Sequence, residues 1–326
     1  MTGRRTDGRM RIAAAQIAPA WLDRSSTLDR VTAAIDEAAA NDARLVAFGE
    51  CLVPGYPFWV ERTDGARFES PVQAELWAHY VDQAVDLDAG HLDSVVQAAK
   101  RGSIAVVLGI LERPAERGES VYATAVSIDP DGTIRAAHRK LMPTYEERLV
   151  WATGDGHGLR TWPLDGFTVG ALNCWENWMP LARASLQAQG EDLHVAIWPG
   201  NPRNTADITR HIATEGRSYV LSVSGLMRAV DLDEDALSGL PQADALERAS
   251  GDMPWARGGS CIAGPDGEWV LEPVVDEAGV FIAEIDPAAV RRARQTFDPA
   301  GHYSRPDVFE LKVDRRRQRL GTFDDD

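Results

Sequence analysis

Cysteine is scarce in this chain of 326 residues: Cys51, Cys174 and Cys261 are an odd count at wide spacing, and no C-x-x-C pair occurs. That excludes a disulfide framework and a zinc knuckle. In a reducing cytoplasm, the expected compartment, each cysteine is then a packing residue or a nucleophile. Long apolar runs are missing as well. None approaches the roughly 20 residues a membrane span requires. No apolar stretch suited to a signal peptidase follows the arginines of the first ten residues. Neither G-x-G-x-x-G nor G-x-x-x-x-G-K-[ST] is present, so a nucleotide cofactor has no support. No two of His79, His91, His138, His157, His194, His211 and His302 stand at i, i+4, which argues against a zinc site. Basic charge is in deficit: 34 Lys and Arg against 50 Asp and Glu leave a net charge of −16. Such a field repels a phosphate backbone, so nucleic acid is not an expected partner.

What is present suits a folded enzyme. With 44% hydrophobic and 26% charged residues, a chain of this length buries about three quarters of its unfolded surface. Short apolar runs predict strands over 11–18, 44–50, 104–111, 122–128, 133–139, 167–173, 194–199, 219–225 and 279–285. Helical spacing predicts helices near 27–43, 71–85, 92–100, 179–189 and 206–218. Ser25 or Ser26 is the expected cap of the first helix. D-P-D-G at 129–132 and G-P-D-G at 264–267 mark two hairpins, because Asp-Gly tolerates the positive φ of the turn. Residues 230–253, rich in Asp, Ala, Gly and Ser, read as an exposed loop with a short helix. No linker divides the chain. One α/β domain over 1–326 is expected, with 1–10 and about 309–326 as peripheral tails, and the charged stretch from Arg291 onward at the surface.

Three polar residues stand at ends of predicted core strands, where open α/β sheets place ligands. Cys174 closes F-T-V-G-A-L-N-C, and a helix N-terminus nearby would favour its thiolate. Position alone leaves it open between nucleophile and buried packing residue. Glu50 closes L-V-A-F-G-E and is otherwise a helix cap or a surface acid. Lys140 closes I-R-A-A-H-R-K and is otherwise a solvated cation, although apolar L-M-P-T follows it. An acid, an ammonium and a thiol at three strand ends make a base, an electrostatic stabiliser and a nucleophile. Glu147, in P-T-Y-E-E-R, reads locally as a surface residue beside Arg148. Around these positions Tyr56, Trp59, Trp175 and Trp198 stand where they would line an apolar substrate pocket.

The order of these segments resembles the nitrilase branch of the nitrilase (carbon–nitrogen hydrolase) superfamily. The likeness runs from R-I-A-A-A-Q-I-A-P at Arg11 to G-H-Y-S-R-P-D-V at 301–308. It is densest in F-G-E-C-L-V-P-G-Y-P-F-W, H-R-K-L-M-P-T-Y-E-E-R and L-N-C-W-E-N-W-M-P-L. The resemblance implies a four-layer αββα sandwich. It implies that Glu50, Lys140 and Cys174 are catalytic, and it moves Glu147 from the surface into the site. It implies cleavage of a nitrile to the carboxylic acid and ammonia through a cysteine thioimidate and thioester, with no metal or organic cofactor. C-W-E after the nucleophile is similar to the nitrile-cleaving branch. An amidase or a hydratase that releases the amide is the alternative within enzymes, and a catalytically silent binding protein is the alternative outside them. Assembly through a twofold interface is also implied, with the short tail speaking against extended spirals.

Overall fold

Apolar side chains on both faces of a strand demand cover on both sides, and this requirement sets the layering. The computed structural model describes residues 8–232, 234–250 and 253–321. Five strands, β1 (Met10–Gln16), β2 (Ala43–Phe48), β3 (Ala105–Glu112), β4 (Tyr122–Ile128) and β5 (Ile134–Arg139), run in that order through one sheet. A second sheet holds β6 (Trp162–Leu164), β7 (Phe167–Asn173), β8 (Leu193–Trp198), β9 (Tyr219–Ser224), β11 (Ala256–Ala263) and β10 (Leu226–Met227), with β12 (Trp269–Val275) beside β11. The last strand, β13 (Gly279–Ile285), returns to the first sheet and pairs antiparallel with β1.

Alternation along β1 shows how the layers form. Ile12 and Ala14 join Leu45, Ala47 and Val107 in a core shared with Val169, Ala171, Val195 and Leu221 of the second sheet. Ala13 and Ala15 point the other way, against Val31, Ile35 and Ala38 of α1 (Arg24–Ala40) and Val95 and Ala99 of α2 (Asp93–Gly102). Leu172 meets Ala182 and Leu186 of α3 (Pro180–Gln187), and Trp198 meets Ile208 and Ile212 of α4 (Pro202–Gly216). The result is helices, sheet, sheet, helices: the αββα sandwich. Among the described residues no helix is long and apolar enough to cross a membrane.

Several expectations need correction. The first helix is capped by Asp23, whose carboxylate accepts from the Ser26 N–H at 3.0 Å, and not by Ser25 or Ser26. The 230–253 stretch, expected as an exposed loop, packs instead. Leu232, Leu237 and Leu246 are buried against Trp59, Leu76 and Trp255, because short helices over Glu234–Ser238 and Ala243–Ser250 turn the leucines inward. Arg291 is exposed, as expected, but within a regular element, the helix Pro287–Arg294. Met10, placed in the amino-terminal tail, is already buried in β1. Part of the carboxyl-terminal stretch is docked: Arg317 pairs with Asp155 at 3.0 Å and donates to the Ala137 carbonyl at 2.6 Å, while Gln318 donates to the Gly154 carbonyl. Residues 1–7 and 322–326 of the expected tails lie outside the described residues.

Candidate active site

Each of the three strand-end residues sits one or two positions beyond its strand: Glu50 after β2, Lys140 after β5, Cys174 after β7. Close backbone approach brings them together. The Glu50 N–H donates to the Trp198 carbonyl at 3.0 Å, so the end of β2 in one sheet is tied to the end of β8 in the other. Beside it, Gly109 of β3 has no room for a side chain; a Cβ there would lie 2.2 Å from the Gly49 carbonyl oxygen and 2.8 Å from the Glu50 Cα. The Lys140 N–H donates to the Ala123 carbonyl at 2.8 Å, and its carbonyl accepts from Gly154 at 2.7 Å. Cys174 has φ +50°, a left-handed conformation that costs a non-glycine residue about 1–2 kcal/mol. The sharp turn separates the sulfur from the register of β7.

At the centre, the Cys174 sulfur and carboxylate oxygens of Glu50 and Glu147 lie within 4.8 Å of one another. Lys140 Nζ sits 2.9 Å from Glu50 Oε1 and 2.6 Å from Glu147 Oε2, and 5.4 Å from the centre of the Trp151 ring. All four reactive side chains are buried, none more than 2% exposed. Two carboxylates and a thiolate are a possible cation ligand set, but the position between the carboxylates is taken by the Lys140 ammonium. Glu147 is fixed by three donors: Lys140, the Tyr56 hydroxyl at 2.8 Å and the Thr144 N–H at 2.5 Å. The Glu50 Oε2 has no hydrogen-bond partner among the described residues, which leaves it open to act on the sulfur or on a bound water.

Burial governs the protonation of this cluster. It pushes the Glu50 carboxyl up to about 8, against the pull of Lys140 and with help from Glu147 and Glu176. The Cys174 thiol is driven well above its usual value by burial and by the Glu50 and Glu147 carboxylates. This corrects the expectation that a helix end favours the thiolate: Cys174 opens a 3-10 turn, Cys174–Trp178, in place of an α-helix, and two acids face the sulfur. Lys140 is held well above its usual value by Cys174, Glu50 and Glu147 despite burial, so it stays an ammonium. The resting site is therefore a neutral thiol beside a carboxyl of raised basicity, ionised in most molecules only above about pH 8.

The four aromatic residues expected to line a pocket fall in different places. Tyr56 is in the cluster through its hydroxyl and packs edge-on to Trp151 with ring centres 5.4 Å apart. Trp59 is fully buried, edge-on to Tyr80. Trp198 is buried in the same apolar group as Cys174. Trp175 is 42% exposed and stacks on Trp178.

Sequence reasoning missed the supports. Glu176 is buried and accepts from the Asn173 N–H at 2.9 Å, from the Leu141 N–H and from His138 Nε2 at 3.1 Å. Asn177 donates to the Cys174 carbonyl at 2.8 Å, and its own oxygen faces His194 Nε2 at 2.7 Å, with Glu191 2.9 Å from His194 Nδ1. The available signal was local. Thr144-x-x-Glu147 and Asn173-x-x-Glu176 both have capping-box spacing, the first five residues past the end of β5 and the second on the last residue of β7.

Comparison with known proteins gives the family and the fold. The carbon-nitrogen hydrolase family model matches residues 11–295. An aliphatic nitrilase of Rhodococcus rhodochrous is 35% identical over 322 residues, covering 94% of this chain and 83% of the relative. An arylacetonitrilase of Macrophomina phaseolina is 32% identical over 336 residues, covering 95% and 92%. Among solved structures, a double mutant of the amidase from Nesterenkonia sp. AN1 in complex with acrylamide superposes with a TM-score of 0.64, covering 89% of this chain and 96% of that one. At 18% identity that likeness concerns the fold.

Proposed function

The chain belongs to the nitrilase branch of the carbon–nitrogen hydrolase family, and from that premise we propose that the Glu50–Lys140–Cys174 cluster hydrolyses an organic nitrile to its carboxylic acid and ammonia. The observation that carries this reading is the convergence of a thiol and two carboxylates within 4.8 Å around one buried ammonium.

The chemistry is set by the protonation state. Glu50 takes the thiol proton as the sulfur attacks the nitrile carbon, and the proton passes to the nitrogen to give a thioimidate. A carboxylate with basicity near 8 is far better matched to a thiol than an ordinary one. One water then adds to the thioimidate carbon, its proton taken by Glu50. Lys140 balances the negative charge that develops at the tetrahedral centre. The nitrogen leaves as ammonia once protonated, and a thioester remains. A second water cleaves the thioester, returning the thiol and releasing the acid; the sum is one nitrile and two waters to one acid and one ammonia. Glu147 holds Lys140 against both steps, and Tyr56 holds Glu147. The thiol is the nucleophile, the two waters supply the net protons, and the acid–base groups carry those protons between atoms.

Tyr56, bonded to Glu147, and Trp198, packed in the same apolar group as Cys174, support a substrate with an aliphatic or aryl body. Trp175, Trp178, Met179 and Leu181 form an exposed apolar group next to the nucleophile turn, which supports assembly with a second copy. The three free, buried cysteines suit a reducing cytoplasm. The test is turnover by wild type and Cys174→Ala, with product identity read on butyronitrile and phenylacetonitrile. Acid and ammonia from wild type alone support the reading. Amide as the main product assigns a hydratase instead, and turnover surviving in Cys174→Ala removes the nucleophile.

A further inference from the structure

Lys140 and Cys174 belong to different sheets. β5 pairs with β4, β7 pairs with β6 and β8, and no backbone ladder joins the two strands. The reaction nevertheless needs the ammonium and the sulfur at a fixed separation. One carboxylate bridges the gap. Glu176 accepts through Oε2 from the N–H of Asn173, the residue before Cys174, and through Oε1 from the N–H of Leu141, the residue after Lys140. His138, two residues before Lys140, presents Nε2 to both oxygens at 3.2 and 3.1 Å. The Asn173 side chain adds a weaker bond to the His138 carbonyl at 3.3 Å.

We propose that Glu176 is a positioning residue, whose ionised carboxylate fastens the chain beside Lys140 to the chain beside Cys174 and so sets the nucleophile–ammonium geometry. The inference rests on the nitrile-hydrolysis reading of the cluster. Glu176 is not a base for the reaction, because both its oxygens are engaged by donors outside the reacting group. It is 1% exposed, and burial alone would neutralise it. His138 and the two backbone N–H groups overcome burial and hold its carboxyl below the ordinary range. The charge also reaches Glu50, which is faced by Lys140, Glu147, Cys174, Tyr56, Cys51 and, at longer range, Glu176.

Glu176→Gln keeps the size but sets an NH2 against one of the two backbone N–H groups, releasing that end of the clamp. The measurement is ammonia release from phenylacetonitrile across pH, normalised to the sites that iodoacetamide alkylates at Cys174. A displacement of about 1 Å lowers kcat by ~10²-fold, and KM stays within about 3-fold because ground-state binding is untouched. The acid limb of kcat/KM moves to lower pH, since Glu50 loses a negative neighbour. A purely structural role would reduce the alkylatable fraction while leaving kcat per site and the limb at wild-type values, and that result overturns the proposal. If Glu176→Gln does not fold, His138→Gln decides: it retains both backbone bonds, so kcat should fall ~10-fold at constant KM, and wild-type kcat overturns the proposal. Cys174→Ala, assayed for ammonia release per mole of folded protein, separates the two layers. Turnover in that variant defeats the nitrile reading, whereas an inactive Cys174→Ala with an unaffected Glu176→Gln defeats the clamp alone.

Discussion

The turn over Tyr145–Leu149 and the turn over Cys174–Trp178 are both 3-10 segments, each directly after a capping residue and each with a buried glutamate at its third position. Their glutamates differ in what surrounds them. Glu147 accepts from two side chains, the Lys140 ammonium and the Tyr56 hydroxyl, and from one backbone N–H. Glu176 accepts from two backbone N–H groups and one imidazole. A carboxylate that engages side chains at the reacting centre acts on charge; one that engages backbone acts on distance. The same local device therefore serves the reaction in one place and the scaffold in the other, and the donors decide which.

That contrast can be broken by substitution. Glu147→Gln should give the larger loss, on the order of 10³-fold in kcat, because the ammonium loses the nearer of its two carboxylate partners and with it its direction; steady-state kinetics with the folded fraction checked by circular dichroism would measure it. A smaller loss than in Glu176→Gln would reverse the assigned roles. The pH profile sharpens the same point. Glu50 acts in its ionised form and its carboxyl is pushed up to about 8. Wild-type kcat/KM should therefore rise with pH through an acid limb near that value, a property of the coupled cluster. Glu147→Gln removes a negative neighbour, so its limb should lie at lower pH; a limb moving upward contradicts the electrostatic account.

Thr144→Ala tests the turn itself. The Thr144 hydroxyl accepts from the Glu147 N–H, and losing such a cap costs about 1 kcal/mol. A fall in Tm of about 2–4 °C with only a few-fold drop in kcat is expected, and a loss matching Glu147→Gln would show that the turn, not the carboxylate, is limiting. The smallest effect is expected at Arg317→Ala. Its ion pair with Asp155 is partly exposed, with the arginine side chain 23% accessible, and is worth about 0–1 kcal/mol. Thermal unfolding should shift slightly while KM and kcat stay at wild-type values; a change in kcat would give the docked carboxyl-terminal segment a part in catalysis.

Much of the fold was legible in the sequence, since β1, β2, β7 and β8 are short apolar runs that must be buried on both faces. Local composition failed at 230–253, where acidic and small residues hide Leu232, Leu237 and Leu246, whose burial depends on distant Trp59 and Leu76. The three strand-end residues were visible because a lone polar group after an apolar run is conspicuous. Glu147 was not, because its burial is sustained by Tyr56, 91 residues away, and Arg148 beside it suggests solvent. Glu176 was hidden for the same reason: one of its donors, Leu141, is 35 positions distant and belongs to the segment after another strand. Partners that remote are invisible to any local window. The expected thiolate at Cys174 failed because only the folded site sets two carboxylates against the sulfur.

The central claim is that Cys174 carries the substrate covalently. Acid-quenching the enzyme during turnover of phenylacetonitrile, followed by peptide mass spectrometry, tests it most directly. The expected result is the phenylacetyl group on the Cys174 peptide, with Cys51 and Cys261 unlabelled. Acid formed at full rate with no adduct on Cys174, or with the adduct on another cysteine, would contradict it.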